Sequence, residues 1–484
     1  DGSGTTATQL QIGSPGNTGT VSFVVNNSYT GDTYIAYGAL SLVSLGSIGS
    51  NSRNLTIASG SLDLSNHDLT VNNLSISASG ALTNSSSNSS LVVNGSATLA
   101  GTISLGGNAT FNGAVLVGNS TGAGVTAQLT VAGSTTFNST IDDAGSAGAN
   151  SLTVSSDAIG KWGATNFYGK VGSIRALNEL TTSGIANLSA DIYTLGAQSY
   201  NYDVYLNSNV ASQATTNTVT LNPNSANITF GGNVNEGYGL NNTISLIINP
   251  SSVSQLTTFN GLVGNQYIPL NLRVGGASVI SGDVKTKGTQ TYSGAMSLSS
   301  GLTFLSDGVA SDGDIRFSGV ITASAGMAVR TAGTTYIGGN ITTVGTQEYS
   351  GNVAVTASIA FNTSNSGNFL ISGLLNSSAG NYSVTINTGN SVVNTATING
   401  VIGGVTPLGG LAITTGVLSL SDVYLFTNGV ANLIVQSTAS NSVLNGVMDG
   451  SYTNISLTKA GAGTLILTGA NTYTGITTIS AGTL

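Results

Sequence analysis

The residues able to do chemistry are few in this chain of 484: one histidine, no cysteine and 18 carboxylate side chains. His67 stands alone, so a histidine-based triad or a multi-histidine metal site is excluded by count, and within LSNHD it reads as a polar turn residue. Glycoside hydrolysis needs two carboxyl groups facing each other about 5–9 Å apart. The close pairs are Asp142–Asp143 and Asp312/Asp314, and neighbours in a turn meet that distance incidentally. Asp307, Asp312 and Asp314 share the Gly-rich stretch DGVASDGD, which offers the hard oxygen ligands that calcium prefers. The stretch is neither an EF-hand nor a GGxGxD repeat, and a solvated loop is the simpler reading. Aromatic and cationic residues gather around Lys161, Trp162, Phe167, Tyr168, Lys170, Arg175 and QSYNYDVY (198–205). They suit either a glycan or protein partner or stacking inside wide turns. No catalytic residue, resident metal or cofactor is expected, and the chain is not expected to be an enzyme.

The composition explains why sites are scarce. Charged residues are 6% of the chain, against about 25% in ordinary soluble proteins. The net charge of −8 leaves no basic patch, so nucleic acid is not an expected partner. Hydrophobic residues still reach 40%, enough apolar surface to offset ordering entropy. The 67 glycines are about twice the usual share, while 5 prolines suit a backbone paired nearly everywhere. No apolar run of about 20 residues is present to cross a bilayer as a helix. The chain opens on DGSGTTATQL, unlike a signal peptide, and stops on ISAGTL inside a motif, so a piece of a longer chain is expected.

Repeats organise what remains. Residues 19–40 (GTVSFVVNNSYTGDTYIAYGAL) and 463–484 (GTLILTGANTYTGITTISAGTL) align at a constant offset. Tyr29, Gly31 and Gly38 fall opposite Tyr473, Gly475 and Gly482, and Asn27 opposite Asn471. A second repeat, small-[DN]-[VI]-x-T-x-G-[TA]-Q-x-Y-[SN], occurs at 190–201, 282–294 and 339–351. Its Gln290, Tyr292, Gln347 and Tyr349 are expected structural corner residues, like those of the 22-residue repeat. A third, short unit recurs as FNGAV (111–115), FNSTI (137–141), FGGNV (230–234), FNGLV (259–263) and FSGVI (317–321). It continues as ISGLL (371–375), INGVI (398–402) and LNGVM (444–448).

Between these marks apolar residues alternate, as in Leu62/Leu64, Leu69/Val71 and Leu74/Ile76. Alternation of this kind predicts half-buried strands, and Gly, Asn and Ser predict the corners. Only 178–192 tempts a helical reading. Short, variable spacing favours a solenoid over a string of sandwich domains. The expected fold is all-β, a right-handed parallel β-helix forming an elongated rod. One continuous solenoid is expected over 1–484, with 142–260 a less regular or decorated section. Turns of roughly 20 residues would make the 57-residue spacing between the second-repeat copies three whole turns.

The pattern GTLxLxGxNTYTGxTTIxAGTL resembles the autotransporter-associated β-strand repeat, closely at 463–484 and more loosely at 19–40. TxGTQxYSG, FNGxV, SLDLSNHDLTVNNL (61–74) and GKVGSIRALNELTTSG (169–184) resemble the β-helical repeats of filamentous-haemagglutinin-type adhesins. The resemblance implies the passenger region of an adhesin, secreted or held at a Gram-negative outer membrane. Attachment, aggregation, filament or biofilm formation would be its function, with self-association and a host or bacterial surface glycan or protein as partners. A surface lattice or sheath protein is the alternative, and a polysaccharide-active β-helix enzyme a more distant one.

Overall fold

The computed structural model describes residues 9–49, 53–84, 88–120, 124–156, 163–207, 218–224, 226–240, 243–248, 255–308, 310–426, 431–449 and 454–484. The chain divides into two compact units, Asp1–Gln255 and Leu256–Leu484. Each is a β-helix built from short strands in three parallel ladders, visited in turn as the chain coils. In the first unit one ladder runs Leu69–Val71, Leu91–Val93, Ala109–Phe111, Thr135–Phe137 and Ala164–Phe167, with every neighbour parallel. In the second unit a ladder runs Gln290–Tyr292, Ile315–Phe317, Thr334–Ile337 and Asn352–Val355.

Three-residue strands suffice because each is flanked by inward residues. Leu69 and Val71, Leu91 and Val93, and Leu74 and Ile76 are buried, while the residue between them points outward. Stacking places these inward residues on one another, and the core is the column of Leu, Ile, Val and Phe inside the ladders. Among the described residues there is no α-helix, only a single 3-10 turn at Ala310–Gly313. The stretch that tempted a helical reading holds the strands Leu180–Ser183 and Ile185–Leu188.

The turns are less uniform than expected. Successive register partners in the first unit are 22, 18, 26 and 30 residues apart, Leu69 to Leu91 to Ala109 to Thr135 to Thr165. The spacing of 57 between Gln290 and Gln347 is therefore not three whole turns. Gln290 stacks under Ile315, Thr335 and Val353, whereas Gln347 stacks on Met327 in a different ladder. Pairing fixes which residues stack, and it leaves the loops between strands free to differ in length.

Candidate functional site: corners and outward faces

The carboxylates are placed as acceptors for backbone N–H groups at the corners. Asp143, fully buried, accepts from the backbone of Gly145 (2.8 Å), Ala149 (2.9 Å) and Asn150 (2.8 Å), and from the Asn150 side chain (2.6 Å). Its neighbour Asp142 accepts from the backbone of Ile174 (2.8 Å) and Arg175 (3.1 Å). Buried Glu236 accepts from the backbone of Thr243 (2.5 Å) and Ile244 (2.8 Å). Anionic oxygens satisfied by several N–H donors cap a loop. The same device links successive turns: Asn54 N–H donates to Asp32, the Asn73 side chain to Asn54, and Ser96 N–H to Asn73.

The acidic loop does not gather its carboxylates. Asp307 pairs with Lys285 (3.1 Å), Asp314 pairs with Arg316 (2.8 Å), and Asp312 lies in the 3-10 turn. No three His, Asp or Glu side chains converge as a metal would require among the described residues. The ring nitrogens of His67 lie 2.9 Å from the carbonyl oxygens of Leu64 and Ser44, so it ties two turns together. The aromatic stretch divides. Phe167 stacks on Phe137 in the core with ring centres 5.6 Å apart, Tyr200 is buried, and Tyr202 is exposed. Lys170 pairs with Asp191 at 3.2 Å, and Lys161 and Trp162 fall outside the described residues.

The second repeat makes the same local hydrogen bonds three times. Thr286 donates its hydroxyl to the Gly288 carbonyl (2.7 Å) and so closes the corner. Gln290 donates to the carbonyls of Val284 (3.3 Å) and Leu305 (2.8 Å), and Tyr292 donates its hydroxyl to the Gln290 oxygen (3.0 Å). Thr343, Gly345, Gln347 and Tyr349 repeat this, with the Gln347 amide reaching Ile341 and Asn362. Thr194, Gly196, Gln198 and Tyr200 repeat the bonds within the turn in the first unit, with the Gln198 amide reaching the Ile192 carbonyl. Gln290, Tyr292, Gln347 and Tyr349 are all fully buried, each pair opening the strand that leaves its corner. Burial pushes the phenols of Tyr200, Tyr292 and Tyr349 well above their ordinary value.

The 22-residue repeat also reproduces its contacts. Tyr29 meets Thr33 hydroxyl to hydroxyl at 2.6 Å, and Tyr473 meets Thr477 at 2.8 Å. The Asn27 side chain donates to Val25 and that of Asn471 to Gly469, both at 3.0 Å. Gly38 and Gly482 have φ of 72° and 74°, and each sits against the carbonyl of the glycine that begins its repeat, Gly19 or Gly463. A left-handed backbone with no room for a β-carbon requires glycine at both. Gly31 is buried, and a β-carbon at Gly475 would overlap the Ile455 carbonyl.

One residue escaped sequence reasoning. Lys459 takes an inward position on Ile455–Ala460 and is fully buried. Its ammonium donates to the carbonyls of Ala460 (2.8 Å), Gly461 (2.8 Å) and Ala481 (3.5 Å). Burial lowers its pKa. The available signal was a lone lysine at an inward place in ISLTKA, the alternation continuing through it.

A family model described as the passenger-associated-transport-repeat matches residues 457–484, which contain Lys459 and the 463–484 repeat. The chain resembles the passenger regions of autotransporters, and that repeat points to a secreted or cell-surface location. No curated protein and no solved structure matches the chain.

Proposed function

We propose that this chain is a structural passenger segment of a bacterial surface adhesin, acting in attachment and self-association rather than in catalysis. The observation that carries this reading is the character of its outward faces. In the second unit Ser297, Thr322, Thr342, Asn362, Asn387 and Thr414 are successive register partners on the outer side of one ladder. A column of hydroxyls and amides without charge keeps the surface wet and can exchange hydrogen bonds with a like surface. The carboxylates that chemistry would need are engaged by backbone N–H groups, as at Asp142, Asp143 and Glu236. The passenger-type repeat at 457–484 supports display outside the cell.

The test is display of the chain on a non-adherent Gram-negative strain, scored for settling of cells and attachment to abiotic and host surfaces. Clumping or attachment above the empty-display control is expected. Cells that neither settle nor attach, although the chain is detected on their surface, would overturn the reading.

A further inference from the structure

Although only 6% of residues are charged, five of the chain's ten cationic residues lie in one short part of the second unit: Arg273, Lys285, Lys287, Arg316 and Arg330. Two of them share an outward column. Arg273, Thr291, Arg316 and Tyr336 are successive register partners on one ladder, one residue per turn. Arg273 is exposed and has no partner among the described residues. The Arg316 guanidinium lies 3.8 Å from the centre of the Tyr336 ring and is held at one edge by Asp314 at 2.8 Å. Asp314 lies beneath it, its side chain 14% exposed against 44% for Arg316. The acid is also held from behind by the Thr334 N–H at 2.9 Å. The pair therefore turns its cation outward, pre-oriented by an aromatic face and a carboxylate.

We propose that this column binds an acidic polysaccharide carrying a carboxylate on alternate sugars, laid along the ladder with Arg273 and Arg316 each taking one carboxylate. Arginine suits the role because its planar fork grips a carboxylate with two parallel hydrogen bonds. One strand spacing is about 4.8 Å, so two turns set the arginines about 10 Å apart. A pyranose advances by close to one strand spacing in an extended chain, so alternate sugars come into register with alternate turns. Thr291, the intervening residue, supplies a hydroxyl for the neutral sugar. The register partners that follow Tyr336, the buried Ala354 and then Asn376, are uncharged and bring no repulsion. Tyr336 is a positioning residue that acts through Arg316.

The inference rests on the surface-adhesin reading and names a partner for it. The full chain is titrated by calorimetry with a hyaluronan decasaccharide, which has one carboxylate per disaccharide, and with a neutral chitin hexasaccharide. Saturable binding of the acidic probe that weakens with salt is expected, with none to the neutral one. Arg273→Ala together with Arg316→Ala should lower affinity at least tenfold. Tyr336→Ala should lower it less, and Tyr336→Phe should retain it. Arg330→Ala, on a neighbouring ladder and paired with Glu348, should leave it unchanged. Unchanged melting of each variant confirms folding. Absence of hyaluronan binding, equal binding of the neutral probe, indifference to the double variant, or an equal loss in Arg330→Ala would each overturn the proposal. Clumping of displaying cells that persists in the double variant would leave the adhesin reading standing while the glycan assignment falls.

Discussion

The buried glutamines and tyrosines of the second repeat are tolerable because each pair closes a local circuit. Gln290 is the clearest: its amide donates to two carbonyls from successive turns while its oxygen accepts the Tyr292 hydroxyl. Gln290→Ala removes the bonds to those carbonyls and leaves the buried phenol of Tyr292 without its acceptor, and an unsatisfied buried group costs about 1–3 kcal/mol. Tyr292→Phe removes one donor only and should cost about 1 kcal/mol. Urea unfolding of both variants checks the order, which reverses if packing of the ring rather than the hydrogen-bond circuit governs the corner. Lys459 behaves differently because it can titrate. Its pKa is lowered by burial, so between that lowered value and the unfolded value near 10.4 the folded chain holds fewer protons than the unfolded one. Stability must then rise with pH across that window and fall as pH drops through it. Lys459→Met should flatten this dependence, read as hydrogen exchange of residues 455–484 at about pH 7.5 and about pH 10. An unaltered pH dependence would remove Lys459 from the account.

At the scale of elements, the corner and the strand impose different demands. The short Φ-[NSG]-G-x-Φ unit (Φ hydrophobic) stacks on itself: Phe111 lies over Phe137 with ring centres 5.2 Å apart, and the Asn138 side chain donates to Asn112 at 2.8 Å. Corner glycines stack as well: after one ladder a β-carbon at Gly400 would overlap the Gly373 carbonyl, and after another one at Gly319 would overlap the Gly294 carbonyl. Strand residues are held by volume instead. Phe137 is flanked on both sides, by Phe111 and Phe167, in a stack of three rings. Phe137→Ala should cost about 3–5 kcal/mol. In a solenoid each turn contacts only its neighbours, so the loss should appear as faster hydrogen exchange within 109–167, with 383–467 unaffected. Uniform acceleration would show cooperativity reaching further than adjacent turns.

For the molecule as a whole, stability comes from stacked apolar columns and backbone ladders, and electrostatics contributes little. Four ion pairs occur among the described residues, and all have partly exposed members. Pairs of this kind are worth about 0–1 kcal/mol each and are screened by salt. The melting midpoint should therefore move by no more than about 2 °C between about 0.05 M and about 0.5 M sodium chloride. A larger fall would mean that charge pairing carries more of the fold than these distances allow.

Alternation at Leu62/Leu64, Leu69/Val71 and Leu74/Ile76 determined by itself that the chain would form half-buried strands, because a two-residue period admits no other regular backbone. The repeated glycines and the Thr–Gly–Gln–Tyr signature likewise marked where corners fall, since those conformations depend on local residue type. Which corner stacks on which was decided only by tertiary pairing. Gln290 and Gln347 belong to identical motifs yet open strands of different ladders, because loops of unequal length intervene. The candidate sites divide in the same way. Asp142 and Asp143 were legible as a close carboxylate pair, but only folding brought the N–H groups of Arg175 and Asn150 to them. Arg273 and Arg316, 43 residues apart in sequence, became near neighbours only when two turns of the coil placed them on one face. Local conformation follows from residue type; proximity across turns follows from loop length and register, which no short motif contains.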